Sequence, residues 1–201
     1  MIKLGITGGI GSGKSYVSQL LEQRGVPVFD CDSRAKQLTV SHPAIRKGLV
    51  ELLGPEVYKQ DDVLNKPLLA SYLFASEENA SRVNAIIHPC VRAAFKQWVK
   101  EQASQDIRIV AMESAILYES GFQNEVDEVL AVHAPLDVRC QRVVLRDHTT
   151  IEAVEKRIAA QMSDEKKCEM ADFVIENDGI CSLKDQLDKL FSLLETRKED
   201  K

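Results

Sequence analysis

Residues 2–17 read IKLGITGGIGSGKSYV, an apolar run followed by a loop with glycine at positions 8, 9, 11 and 13. The run Ile2 to Thr7 has the length and character of a short buried strand, and Val17, Leu20 and Leu21 recur at helical spacing up to Gly25. Between that strand and that helix, Gly8, Gly13, Lys14 and Ser15 fit the spacing G-x-x-x-x-G-K-[ST]. Glycines there let backbone N–H groups approach an anion at a helix N-terminus, where the helix dipole adds attraction. Lys14 is expected to reach the outer phosphates of a nucleotide, and the Ser15 hydroxyl to bind the Mg²⁺ that bridges its β and γ oxygens. A dinucleotide fingerprint has no use for Lys14-Ser15 and needs an acidic residue about 20 positions on to meet a ribose.

The rest of the chain must supply an acceptor. At 201 residues it has room for one α/β core with one or two small insertions. A net charge of −5 argues against sequence-independent nucleic-acid binding, which draws its affinity from basic surfaces. Cys31, Cys90, Cys140, Cys168 and Cys181 are scattered, with no C-x-x-C pair, as expected of free thiols in a reducing compartment. No apolar run approaches the roughly 20 residues of a membrane span and none reads as a signal peptide, so the expected location is the cytoplasm.

Val26 to Asp32, VPVFDCD, reads as a second strand ending in two carboxylates. From Ser33 to about Ala103 the periodicity is helical throughout, with Pro43 and Pro67 at helix starts. Strands resume at Ile107 to Glu113 and Glu128 to Ala134. A helix over PLDVRCQRVVLRDH, a polar stretch, a fifth strand in DFVIEN and a closing helix follow. Strands alternating with helices predict a doubly wound parallel sheet of five strands, broken by a helical insertion. Ligands of such sheets bind beyond the carboxyl ends of the strands, where Gly8 to Ser15, Asp30, Asp32 and Glu113 are expected.

Phosphoryl transfer needs a nucleotide cradle, Mg²⁺, a carboxylate that orients the acceptor, and cations at the transferring group. Asp32 fits the carboxylate role, its alternative being a helix N-cap; Asp30 is the poorer candidate. Arg139, Arg142 and Arg146 fall on one helical stripe, either facing a nucleotide or forming a solvated basic face. Lys156 and Arg157 lie in the polar stretch, which has the composition of a mobile, water-excluding lid. His88 comes just before Pro89 in a helical region, where a lone histidine is more often structural, and His42, His133 and His148 have no metal-ligand spacing. The tetrad NKPL has Leu68 where a guanine-reading N-K-x-D needs aspartate.

With TGGIGSGKS, VFDCD followed by RA, NAIIHP, ILYE, RCQRVVLRD, RIAAQMSDEKK and ADFVIENDG in this order, the chain resembles the dephospho-coenzyme A kinase family over essentially its whole length. That resemblance implies a P-loop NTPase core (1–32, 104–136 and 171–201), a helical coenzyme-A-binding insertion (33–103) and a helical lid (137–170). It implies transfer of the γ-phosphoryl of Mg-ATP to the ribose 3′-hydroxyl of dephospho-CoA. Asp32 would be the acceptor-orienting base, with Lys14 and Arg142 acting on the phosphates and Ser15 on the metal. Gly8, Gly9, Gly11, Ser12, Gly13, Tyr16 and Arg146 would line the ATP site, Asn177 and Gly179 its adenine end, and His88 and Glu119 the acceptor side. Tyr16 and Ala115 stand where the family usually has threonine and proline. The rival readings are a nucleoside monophosphate kinase, which has no need of Asp32, and a nucleotide-dependent switch, which needs a partner surface.

Overall fold

The computed structural model describes residues 1–59 and 63–199, with side chains to residue 196. Residues 60–62 of the expected insertion and 200–201 of the expected core lie outside the described residues.

Five strands form one sheet: β1 (Ile2–Thr7), β2 (Val28–Asp30), β3 (Ile109–Glu113), β4 (Glu128–His133) and β5 (Phe173–Glu176). Their order is β2-β3-β1-β4-β5, with β1 parallel to β3 and β4, and β4 parallel to β5. Ile6 pairs with Glu113 and Leu130, and His133 with Glu176, so the carboxyl ends of β1, β3, β4 and β5 share one edge. This is the expected doubly wound α/β architecture, and the central strands are apolar on both faces, as such sheets require.

The chain divides into two compact units. The first, Met1–Phe29 with Ala103–Lys201, carries the sheet. On one face, Leu4, Ile6, Ala111, Leu130, Val132 and Ile175 meet Val17 and Leu21 of α1 (Lys14–Glu22) and Leu187, Leu190 and Leu194 of α9 (Leu183–Glu199). These side chains are each at most 3% exposed, and burial of this kind contributes about 1.5–3 kcal/mol per large side chain. A separate cluster joins Cys140 and Val143 of α6 (Leu136–Asp147) to Val154 of α7 (Ile151–Ala159), with Ile10 of the glycine loop against it. A shorter helix, α8 (Asp164–Met170), leads into β5. The stretch expected as a lid is therefore helical along most of its length.

The second unit, Asp30–Gln102, is helical: α2 (Cys31–Ser41), α3 (Pro43–Leu53), α4 (Lys66–Leu73) and α5, which runs Glu77–Ala103. Val83, Ile87, Val91 and Phe95 recur every fourth residue and form the buried stripe of α5. Gly48 brings α3 close to it, since a Cβ there would stand 2.9 Å from Ile86 Cγ2.

One expectation is corrected. The second strand stops at Asp30, and Asp32 lies in the first turn of α2. The Asp30 carboxylate accepts from the N–H of Asp32 (2.9 Å) and of Ser33 (3.1 Å), and from the Ser33 hydroxyl. Asp30, not Asp32, is the N-cap: satisfying two otherwise unpaired helix amides outweighs extending an edge strand.

Candidate active site

The glycine loop leaves the end of β1 and enters α1 at Lys14. Gly13, the N-cap residue, has φ +92°, a left-handed conformation that only glycine adopts readily. No side-chain hydrogen bond caps α1, so no side chain of the chain itself occupies the anion-attracting end of this helix. Lys14 Nζ donates to the carbonyls of Gly8 (3.0 Å) and Gly9 (3.3 Å), folding back over the loop.

A peptide plane carries its C=O and N–H in opposite directions, so a loop that aims amides inward must anchor carbonyls outward. Asn177, just past β5 and 7% exposed, donates from Nδ2 to the Ser12 carbonyl at 2.8 Å. Arg139 Nε donates to the Ile10 carbonyl at 3.0 Å, and Arg142 Nη1 reaches the Ser12 carbonyl at 3.5 Å. The side-chain amide of Asn177 thus lies behind the cradle, and a Cβ on Gly13 would collide with it. Gly179 has φ +86° and open space around its Cα. Tyr16 points into solvent at 54% exposure.

Ser15 Oγ donates to Glu113 Oε1 at 2.8 Å, bringing a hydroxyl and a carboxylate together where β3 ends beside the cradle. Among the described residues, no group of three or more His, Cys, Asp or Glu side chains could hold a metal ion. The pair suits instead a hard cation that takes most of its ligands from phosphate and water.

The arginine stripe of α6 separates by partner. Arg139 is 5% exposed and ion-pairs with Asp164 of α8. Arg146 binds Asp147 at 2.7 Å, and Arg157 of α7 binds the same carboxylate at 2.8 Å. These two arginines hold Asp147 below its ordinary range, the Arg146 hydrogen bond first, then the Arg146 charge, then Arg157. Of the three stripe arginines, Arg142 alone has no carboxylate partner among the described residues.

Glu119 lies in the same unit as the cradle. Its Oε1 accepts from Met162 N–H (3.0 Å) and pairs with Lys167 Nζ (3.1 Å), which also donates to the Ala115 carbonyl at 2.7 Å. Asp164 and Lys167, both buried, were not singled out from sequence; the buried side of so polar a helix leaves no hydrophobic signature. Cys168 is pushed up to about 11 by burial and by Asp164 and Glu176, which keeps its thiol protonated and unsuited to nucleophilic chemistry.

Within the helical unit, Asp32 lines a cavity of about 520 Å³ with Lys36, Lys66 and the apolar Ala35, Val40, Leu64, Leu69 and Ile87. Lys66 belongs to the tetrad that sequence reading took only as a broken guanine motif. His88, next to Ile87, has its pKa lowered by burial and, less strongly, by Arg92 one turn on, so it is neutral at pH 7.

A model of the family described as Dephospho-CoA kinase matches residues 2–182. The chain belongs to the dephospho-CoA kinase family. Dephospho-CoA kinase of Bacteroides fragilis (strain YCH46) is 53% identical over 193 residues, covering 96% of this chain and 93% of that protein. The Porphyromonas gingivalis enzyme is 44% identical over 161 residues, 80% of this chain and 78% of that one. A solved Thermus thermophilus structure, 33% identical, superposes with a TM-score of 0.79 over 97% of both chains. Shikimate kinase from Acinetobacter baumannii, at 16% identity and a TM-score of 0.54 over 98% and 95% of the two chains, shares the fold alone. As a dephospho-CoA kinase family member the chain is a kinase of the final step of coenzyme A synthesis, with ATP as its phosphoryl donor. Among the described residues no helix is long and apolar enough to cross a membrane.

Proposed function

We propose that the γ-phosphoryl of ATP, held in the Gly8–Tyr16 cradle, passes to the ribose 3′-hydroxyl of dephospho-CoA oriented by Asp32. The observation that carries this reading is the cavity of the helical unit, where one carboxylate and two lysines stand on walls that are apolar apart from Thr39, whose hydroxyl donates to the Ala35 carbonyl. An acceptor with a ribose hydroxyl, a diphosphate and a long, weakly polar arm matches that lining in kind. A nucleoside monophosphate has no use for the apolar part, and its attacking group is already ionised.

Lys14 neutralises charge on the outer phosphates once it leaves the Gly8 and Gly9 carbonyls. Arg142 meets the charge that develops on the transferring group, being the arginine of its stripe without a carboxylate partner among the described residues. Ser15 and Glu113 would hold Mg²⁺, and the ion would supply charge neutralisation at the outer phosphates. Asp32 is exposed, and its carboxylate is the group that accepts the hydroxyl proton. We assign residues 137–170 to the lid and 33–103 to the acceptor-binding insertion. Gly179 remains a candidate for the adenine end, and His88 for the acceptor side. Glu119, tied through Oε1 to Lys167 and Met162, remains a candidate for the acceptor side through its other carboxylate oxygen.

The test is ADP release with Mg-ATP and dephospho-CoA, with AMP, CMP, GMP and UMP as parallel acceptors, in wild type and Asp32→Asn. Transfer to dephospho-CoA alone, reduced about 10²–10⁴-fold by Asp32→Asn with ADP binding retained, is expected. Transfer to a monophosphate, or near-normal turnover in the variant, would overturn the acceptor assignment.

A further inference from the structure

Behind the cradle sits a charge pair that phosphate chemistry alone does not call for. Arg139 and Asp164 face each other with side chains 7% and 3% exposed. Asp164 Oδ2 takes the Arg139 Nη1 hydrogen bond, and its Oδ1 is buried without a hydrogen-bond partner. A Cβ on Gly9 would collide with Asp164 Oδ1 and Arg139 Nη2, so the pair lies directly against the loop. A Cβ on Gly11 would crowd the Arg139 backbone and stand 2.9 Å from Val143 Cγ2. Two of the cradle glycines are thus required by what lies behind the loop, beyond any need of the anion in front.

We infer that Arg139 and Asp164 are positioning residues for nucleotide binding: the pair holds the Ile10 carbonyl from behind and so aims the Gly11 amide at the phosphates. The inference rests on the reading of Gly8–Ser15 as the nucleotide site. Arg139 Nε donates to the Ile10 carbonyl at 3.0 Å, and the same peptide plane turns the Gly11 N–H the opposite way. The guanidinium is planar, so fixing Nη1 on Asp164 fixes the direction of Nε. Asp164 is itself held, because α8 is seated three residues on, at Lys167, which binds the Ala115 carbonyl and Glu119. The chain of contacts runs from the loop after β3, through α8, to one peptide of the cradle.

The arrangement also has a sign. A carboxylate directly behind an anion site repels phosphate unless a cation cancels it, and Arg139 is that cation. Loss of Arg139 alone leaves a buried charge uncompensated and destabilises the fold, which would blur the readout. Replacing both partners by apolar residues removes the charges together, and such exchanges are commonly neutral for stability. It nevertheless leaves the Ile10 carbonyl without its donor.

The experiment therefore compares wild type, R139M/D164L and R139K by thermal melting, by titration of the full-length protein with Mg-ADP, and by the KM for each substrate. In the double variant a Tm within about 4 °C of wild type is expected. Its Mg-ADP affinity and ATP KM should be weakened about tenfold or more, as for one orphaned buried acceptor, with the KM for dephospho-CoA unchanged. R139K, which keeps the charge but not the planar fork, should show the same selective loss and decides the matter if the double variant does not fold. Wild-type Mg-ADP affinity in either folded variant overturns the inference, as does equal weakening toward both substrates. Absence of Mg-ADP binding in the wild type would instead remove the cradle reading beneath it.

Discussion

Asn177→Asp is the sharpest single test of how the cradle is held. The substitution is isosteric and exchanges the Nδ2 donor for an oxygen at a site 7% exposed, 2.8 Å from the Ser12 carbonyl. Loss of the hydrogen bond removes about 1 kcal/mol of support for that peptide. A carboxylate there lies roughly 7 Å from a phosphate bound at the Gly13 amide, and at an effective dielectric of 20 the repulsion is about 2 kcal/mol. The sum, about 3 kcal/mol, corresponds to roughly 150-fold weaker Mg-ADP binding. Calorimetric titration with Mg-ADP, Mg-GDP and tripolyphosphate reads it. If Asn177 acts through the Ser12 carbonyl, all three ligands weaken together. If it reads the adenine ring, Mg-ADP weakens and the other two do not. Affinity for Mg-ADP within about threefold of wild type would refute the electrostatic argument as well as the hydrogen bond.

Three further outcomes are expected. Glu113→Gln should raise the half-saturating Mg²⁺ concentration about tenfold at saturating ATP, because a carboxylate contributes more than an amide to a hard cation; an unchanged requirement would free Glu113 from the metal. Tyr118→Phe should stabilise the fold by about 1 kcal/mol in denaturant unfolding, since the hydroxyl is buried without a partner and burial pushes its pKa up to about 12; destabilisation would mean that the oxygen is satisfied. His88, held below its ordinary 6.5 by burial and by Arg92, should make the protein less stable in acid. The unfolded chain takes up that proton first, so the contribution is complete above about pH 6.5 and declines as the pH falls toward the lowered folded value. His88→Gln should therefore lose less Tm than wild type between about pH 7.5 and 5.5, and equal losses would refute the assignment.

The cradle and the alternation of strands and helices were legible because they are local: glycine spacing, a lysine-serine pair and apolar periodicity all act within one turn or one strand. The end of β2 was not. VFDCD is as apolar as a strand needs up to its first carboxylate, and what stops it is an interaction with amides two and three residues on. A cap and a strand terminus leave the same letters in the sequence, and the choice depends on whether a neighbouring strand continues far enough to repay the extension. The outer fasteners of the cradle were hidden for the opposite reason. Asn177 is 165 positions from Ser12 and Arg139 is 129 from Ile10, and no periodicity links residues across such distances.

The arginines of α6 show what sequence spacing can and cannot decide. Their separations of three and four residues put Arg139, Arg142 and Arg146 on one stripe, and nothing in that spacing ranks them. Ranking comes from what each must give up to meet a phosphate. Arg139 would have to abandon a buried carboxylate and the Ile10 carbonyl, leaving two uncompensated groups behind the cradle. Arg146 would leave an exposed carboxylate that Arg157 continues to neutralise, a small loss in water. Arg142 gives up a 3.5 Å contact to a carbonyl that Asn177 already satisfies at 2.8 Å, so its move leaves no group orphaned. A cation that must act only when charge develops should be the one whose release costs least, and the partners make that Arg142, with Arg146 next and Arg139 held in place.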